Sequence, residues 1–211
     1  DNIDMTVYLL SLAKDAEVKK VLFASTGSLY GNNKIPWNET MSADTLEPYS
    51  FQKLSCEIAF KTFYACYGLP TTIFRFFQVF GENQRKDTAI AAFMNQKKNN
   101  KPITLIRSSE KSKFNTGRRD WIYVKDIAEA FKLSLISNNT GKGEIINIAS
   151  GKLISVEEIA KTVGGEITFL PSRDYEVDDH LAEVTKAKEI LNWEYKTDVI
   201  PWLKDYLKKN L

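Results

Sequence analysis

The chain has 211 residues, 43% hydrophobic and 27% charged, enough to bury a substantial core in one or two soluble domains. Its net charge of +2, carried by dispersed lysines, gives no footprint for nucleic acid, and no apolar run is long enough for a membrane span or a signal peptide. The single histidine, His180 in an acidic segment, excludes most zinc and Ser-His-Asp chemistry and is expected at the surface; no metal site is expected.

In chain order, Met5 to Glu17 has a helical pattern and Val21 to Ala24 is a short apolar strand. A loop containing Pro36 and Pro48 leads to a helix from Tyr49 to about Tyr67, ended by Gly68 at C′. The helix carries Cys56 and Cys66, which read as reduced, half-buried thiols. Thr71 to Phe77 reads as a buried strand whose phenylalanines belong to the core. Asp87 or Thr88 caps a helix to about Lys97, and Ile103 to Ile106 is a further strand. Ser108 to Gly117 is a polar excursion expected to be exposed. Trp121 to Val124 is extended and feeds a helix from Lys125 to Ile136, and a glycine turn precedes the strand Ile145 to Ile148. Ser155 and Glu158 form a capping box for a short helix. A strand at Ile167 to Phe169 and helices at about Thr185–Leu191 and Asp198–Lys209 complete the chain.

Strands alternating with crossover helices predict a parallel sheet in an α/β fold. Chemistry then collects at the carboxyl ends of strands, where Thr26 and Gln78 fall.

A Tyr and a Lys four residues apart on a helix share one face, where the ammonium can stabilise a phenolate and make it a base. With 9 Tyr in the chain, about one such pair arises by chance, so context decides. Tyr30 and Lys34 are separated by Gly31-Asn32-Asn33, which is turn chemistry. Tyr49 and Lys53 follow Pro48 at the head of an amphipathic helix, and only they have the required geometry.

Five motifs in order resemble the extended short-chain dehydrogenase/reductase superfamily, in its NAD-dependent nucleotide-sugar epimerase/dehydratase branch. They are Ala24-Ser25-Thr26-Gly27-Ser28-Leu29-Tyr30-Gly31, the Tyr49/Lys53 pair, Arg75-Phe76-Phe77-Gln78-Val79-Phe80-Gly81, Arg119 through Asp126, and Arg173 through Lys186. The resemblance runs over essentially the whole chain. It implies a partial Rossmann-type doubly wound parallel sheet with a smaller C-terminal α/β substrate-binding region. Residues 1–77 and 124–149 would form the dinucleotide-binding part, and 78–123 with 150–211 the substrate region.

The resemblance also implies roles. Tyr49 would be the base, Lys53 would hold the nicotinamide ribose and lower the tyrosine pKa, and Thr26 would hydrogen-bond the reacting oxygen. Asn2, Ser25 and Phe76 would join Tyr49 and Lys53 at an NAD or NADP cofactor. Thr26, Gln78, Arg119, Arg173 and Glu176 would contact a nucleotide-sugar substrate, the arginines gripping its diphosphate. Read without the resemblance, Arg119 is equally a surface partner of Asp120 or Asp126, and Arg173 of Asp174. The helices over 3–17 and 49–67 are more apolar than one sheet face requires, and the resemblance implies a homodimer through them, in the cytoplasm.

Three departures shape the expectation. None of the 10 glycines forms the pyrophosphate-binding fingerprint, so the chain is expected to be a C-terminal fragment, poor in cofactor binding and inactive alone. Gly27-Ser28 stand where related dehydratases carry an acidic pair, which favours epimerisation or simple redox over elimination. Gln78 replaces the usual asparagine, which leaves the sugar open. The leading expectation is an epimerase working through a transient keto intermediate; a keto-sugar reductase and a non-catalytic nucleotide-sugar-binding module are the alternatives.

Overall fold

The computed structural model describes residues 2–174 and 177–210. The first lobe opens with α1 (Asn2–Asp15), β1 (Val21–Thr26), α2 (Pro48–Tyr67) and β2 (Thr71–Phe76). It is completed by α4 (Val124–Ile136) and β6 (Lys142–Ile148), giving a parallel sheet in the order β1-β2-β6. Central β2 is buried on both faces, which is why Thr71-Thr72-Ile73-Phe74 reads as a continuous run without polar alternation. Ile73 points to a core with Leu10, Phe60 and Leu69 under α1 and α2. Phe74 points to the opposite core, with Ile127, Ala130 and Ile146 beneath α4. One strand thereby organises both layers.

The second lobe contains β3 (Gln78–Phe80), α3 (Ala89–Lys98), β4 (Ile103–Ile106) and β5 (Arg118–Tyr123). It continues through β7 (Leu153–Ser155), α5 (Val156–Val163), β8 (Ile167–Leu170), β9 (Asp179–His180) and α7 (Val199–Asn210), while α6 (Thr185–Leu191) packs back on the first lobe. β5 lies between β3 and β7 and also pairs with β9, whereas β4 pairs with β8. Phe80, Phe93, Trp121, Ile159 and Leu203 belong to this lobe's core.

Several expectations are corrected. The strand expected over Thr71 to Phe77 breaks at Phe77, because Gln78 leaves the first sheet and pairs with Trp121. α6, grouped by sequence with the substrate region, contributes Ala187 and Leu191 to the core beneath α4 in the first lobe. The Ser108 to Gly117 excursion is exposed at Glu110, Lys111 and Lys113 to Asn115, as expected, and is anchored at its ends: Ser108 and Thr116 are buried, and Ser109 N donates to Asp178 Oδ1 at 2.8 Å. Of the two thiols, Cys56 is buried and Cys66 exposed.

Candidate active site

Two local devices present the Tyr-Lys helix to the sheet. Glu47 is its N-cap, accepting from Tyr49 N and Ser50 N, while Ser50 Oγ reaches back to Glu47 N; Pro48 fits the first turn. At the far end Gly68 takes the left-handed conformation, with its N–H donating to Tyr64 O at 2.9 Å. Between these stops, Tyr49, Lys53 and Glu57 fall on one stripe of α2.

That stripe meets three consecutive residues at the carboxyl end of β1. Lys53 Nζ donates to Ala24 O at 2.8 Å, and Glu57 Oε1 accepts from Ser25 Oγ at 2.6 Å. Thr26 follows at the end of the strand, and its hydroxyl is the group that draws the Tyr49 phenol's pKa down. Thr26 also caps the 3₁₀ turn at Gly27–Tyr30, accepting from Ser28 N at 3.2 Å. Tyr49 itself is 46% exposed.

Burial holds the Tyr49 phenol above its ordinary pKa, and Thr26 draws it back down. Burial lowers Lys53. The expected lowering of Tyr49 by Lys53 is not what sets the phenol in this geometry. The ammonium is engaged by Ala24 O and stands 5.8 Å from the Tyr49 ring centroid.

A cleft of about 410 Å³ opens beside this pair, lined among others by Ser28, Glu47, Trp37, Arg119, Arg173 and His180. Ser28 and Glu47 connect it to Thr26 and Tyr49. Arg119 Nη1 donates to Asp178 O at 2.9 Å. Asp120 and Asp126, the acids that sequence offers as its partners, have backbone work of their own. Asp120 is buried and accepts from Ser150 N, Gly151 N and Ala182 N, which pushes against a burial-driven rise to about 6. Asp126 accepts from Lys196 N and Thr197 N.

The expectation of a surface His180 is overturned. Its ring lies 5.0 Å from that of Trp37, and burial together with the Arg119 charge pushes its pKa down to about 3. A neutral imidazole therefore lines the cleft.

The remaining sequence candidates are dispersed. Asn2 donates from Nδ2 to Gln52 Oε1 at 2.7 Å, one residue from Lys53. The Ser25 hydroxyl is turned toward Glu57, and Phe76 stacks on Phe74 and lies tilted against Phe131 beside the core. Gln78 opens β3 and pairs with Trp121 on the strand that carries Arg119, but does not itself line the cleft. Glu176 lies outside the described residues.

Sequence reasoning missed a buried network behind the pair. Arg75 Nε and Nη2 donate to the two Glu57 carboxylate oxygens at 2.9 and 2.7 Å, and the guanidinium lies over the Tyr30 ring. Tyr30 donates to Asn147 Oδ1 at 2.7 Å, and burial pushes its phenol up to about 12. Glu57 was within reach of sequence, being one helical repeat after Lys53. Gly27 has a reason of its own: a Cβ there would stand 3.0 Å from the Phe77 ring.

The model of the NAD dependent epimerase/dehydratase family matches residues 1–149. UDP-glucuronate 4-epimerase of Thermodesulfobacterium geofontis is 34% identical over 221 residues, covering 100% of this chain and 66% of that protein. An uncharacterized UDP-glucose epimerase of Bacillus subtilis is 29% identical, covering 94% of this chain and 62% of that protein. The chain thus spans about two thirds of the length of these relatives. UDP-glucuronic acid 4-epimerase from Bacillus cereus, solved with UDP-glucuronic acid and NAD, superposes with a TM-score of 0.90 at 27% identity, over 100% of this chain and 68% of that one. UDP-glucose 4-epimerase from Thermotoga maritima, solved with UDP-glucose, gives 0.88 at 29% identity, over 99% and 69%. With the model matched over residues 1–149 and the fold shared with Rossmann-type epimerases, the chain belongs to the NAD-dependent epimerase/dehydratase family.

Proposed function

We propose that the chain supplies the catalytic and substrate-binding residues of an NAD-dependent nucleotide-sugar epimerase acting on a UDP-sugar. The observation that carries this reading is one of placement. Tyr49, Lys53 and Thr26 converge at the carboxyl end of β1, and a cleft lined by two arginines opens beside them through Ser28 and Glu47.

Tyr49, once a phenolate, accepts the proton of a sugar hydroxyl, and Thr26 hydrogen-bonds the same oxygen as the carbon becomes a ketone. Bound NAD supplies hydride acceptance from that carbon and later hydride donation to its opposite face. Lys53, which donates to Ala24 O, would hold a ribose hydroxyl of the bound dinucleotide, and its charge would favour the phenolate. These donors fit the nicotinamide ribose; the residues in hand contain no glycine-rich turn for the pyrophosphate. Arg119 and Arg173 present forked guanidinium groups to the diphosphate. Gly27, where a Cβ would stand 3.0 Å from the Phe77 ring, and Ser28 offer no acidic side chain for elimination, which favours epimerisation.

Residues 1–77 with 124–149 form the dinucleotide side, and the remaining second-lobe segments the sugar side. The exposed apolar residues Met5, Tyr8, Leu9, Phe51 and Ile58 on α1 and α2 support a homodimer through these helices. No described helix is long and apolar enough to cross a membrane, and we assign the enzyme to the cytoplasm.

The test is turnover of UDP-glucose and of UDP-glucuronate by the full-length gene product, with products separated by chromatography and absorbance followed at the NADH band. The expected result is an equilibrium mixture of 4-epimers with no net NADH change. Stoichiometric consumption of added NADH, or no conversion of either sugar, contradicts the proposal.

A further inference from the structure

The stripe that carries Tyr49 and Lys53 ends on a group with no part in the chemistry just described. Glu57 is 1% exposed and Arg75 3%, and their two hydrogen bonds form a buried fork. Ser25 and Arg75 are register partners on β1 and β2, and both reach the same carboxylate. The carboxylate therefore ties α2 to two adjacent strands at once, eight residues beyond Tyr49. Ser25 directly precedes Thr26, the residue that the proposed mechanism pairs with Tyr49. A buried pair of this kind is weak evidence for stability, because desolvating both charges offsets their attraction. What it does impose is geometry, since a bidentate fork tolerates little rotation or sliding of the helix.

We infer that Glu57, held by Arg75 and Ser25, is the positioning residue that sets the rotation and height of α2 so that Tyr49 meets Thr26. This rests on the reading of Tyr49 as the base. Arg75 Nη1 is buried and, among the described residues, has no hydrogen-bond partner, so the guanidinium depends on the Glu57 fork. Removing Glu57 alone would strand a buried charge and unfold the protein without testing position. Replacing both members removes the fork and leaves no charge behind.

The experiment compares wild type, Glu57→Gln/Arg75→Met and Ser25→Ala in the full-length gene product. It measures kcat and KM for the UDP-sugar, and the ¹³Cζ resonances of labelled tyrosines at neutral pH. The expected result for the double variant is a folded protein whose kcat falls roughly 10- to 100-fold while KM stays within about twofold. The Tyr49 resonance shifts, while tyrosines remote from the site, such as Tyr195 and Tyr206, do not. Ser25→Ala gives a smaller change in the same direction and decides the question if the double variant fails to fold. Unchanged kcat and an unmoved Tyr49 resonance in a folded variant overturn the inference. So does a parallel loss in kcat and affinity with every tyrosine shifted, which marks general loosening. If wild type shows no turnover the epimerase reading fails, and the Tyr49 resonance alone still judges the positioning role.

Discussion

A tyrosine whose phenol is pushed upward by burial is a poor base until something lowers it, and at Tyr49 the lowering contact in place is Thr26. Lys53 has the right spacing but spends its hydrogen bond on Ala24 O. Sequence found this pair because helical periodicity is local. It could not find the ammonium's partner, which lies 29 residues away on another element. His180 illustrates the same limit: its acidic neighbours suggest solvent, whereas its environment is set by Trp37 and Arg119. Its folded pKa of about 3 lies below the ordinary 6.5, so the unfolded chain takes up the proton first. The stability this contributes is present above about pH 6.5 and is lost as pH falls toward 3. As the only histidine, it gives one clean imidazole NMR signal, expected to stay neutral from pH 8 to about 4. A midpoint near 6.5 would show that the ring is solvated.

At the scale of elements, the long helices and the apolar strands were legible because each satisfies its own period and carries its own stop signals, Pro48 and Gly68 among them. The three-residue β3 and β7 and the two-residue β9 were not, since such short runs have no period and exist only through pairing with β5. The turn after β1 lies between these cases. Gly31 has φ +53°, and a Cβ there would stand 2.0 Å from Asp44 O, so backbone conformation and close approach both demand glycine. Gly31→Ala is expected to cost about 2 kcal/mol or more in urea unfolding and to disturb the segment linking Thr26 to the cleft. A loss below about half a kcal/mol would mean that the turn relaxes freely.

Across the whole molecule, the proposed site lies where the chain passes from one core to the next. The break at Phe77 sends one continuous stretch of chain from the first sheet into the second. The sequence placed one strand over Thr71 to Phe77 and none after it, because the three residues from Gln78 to Phe80 have no period of their own. On the outer side of the first lobe, Tyr8 and Leu9 on α1 and Ile58 on α2 are more than half exposed. If these helices form the dimer interface, Leu9→Arg with Ile58→Arg is expected to convert a dimer to a monomer in sedimentation while leaving the circular dichroism spectrum unchanged. A wild-type protein that sediments as a monomer at micromolar concentration contradicts the assignment.

The central claim is that Tyr49 moves the proton while the arginine-lined cleft holds the nucleotide. Its most direct test is Tyr49→Phe in the full-length gene product, with turnover and UDP-sugar affinity measured on the same sample. The account predicts a loss of kcat of roughly 100- to 10,000-fold with affinity changed by no more than about threefold. Turnover within a few-fold of wild type would contradict it and remove Tyr49 from the mechanism.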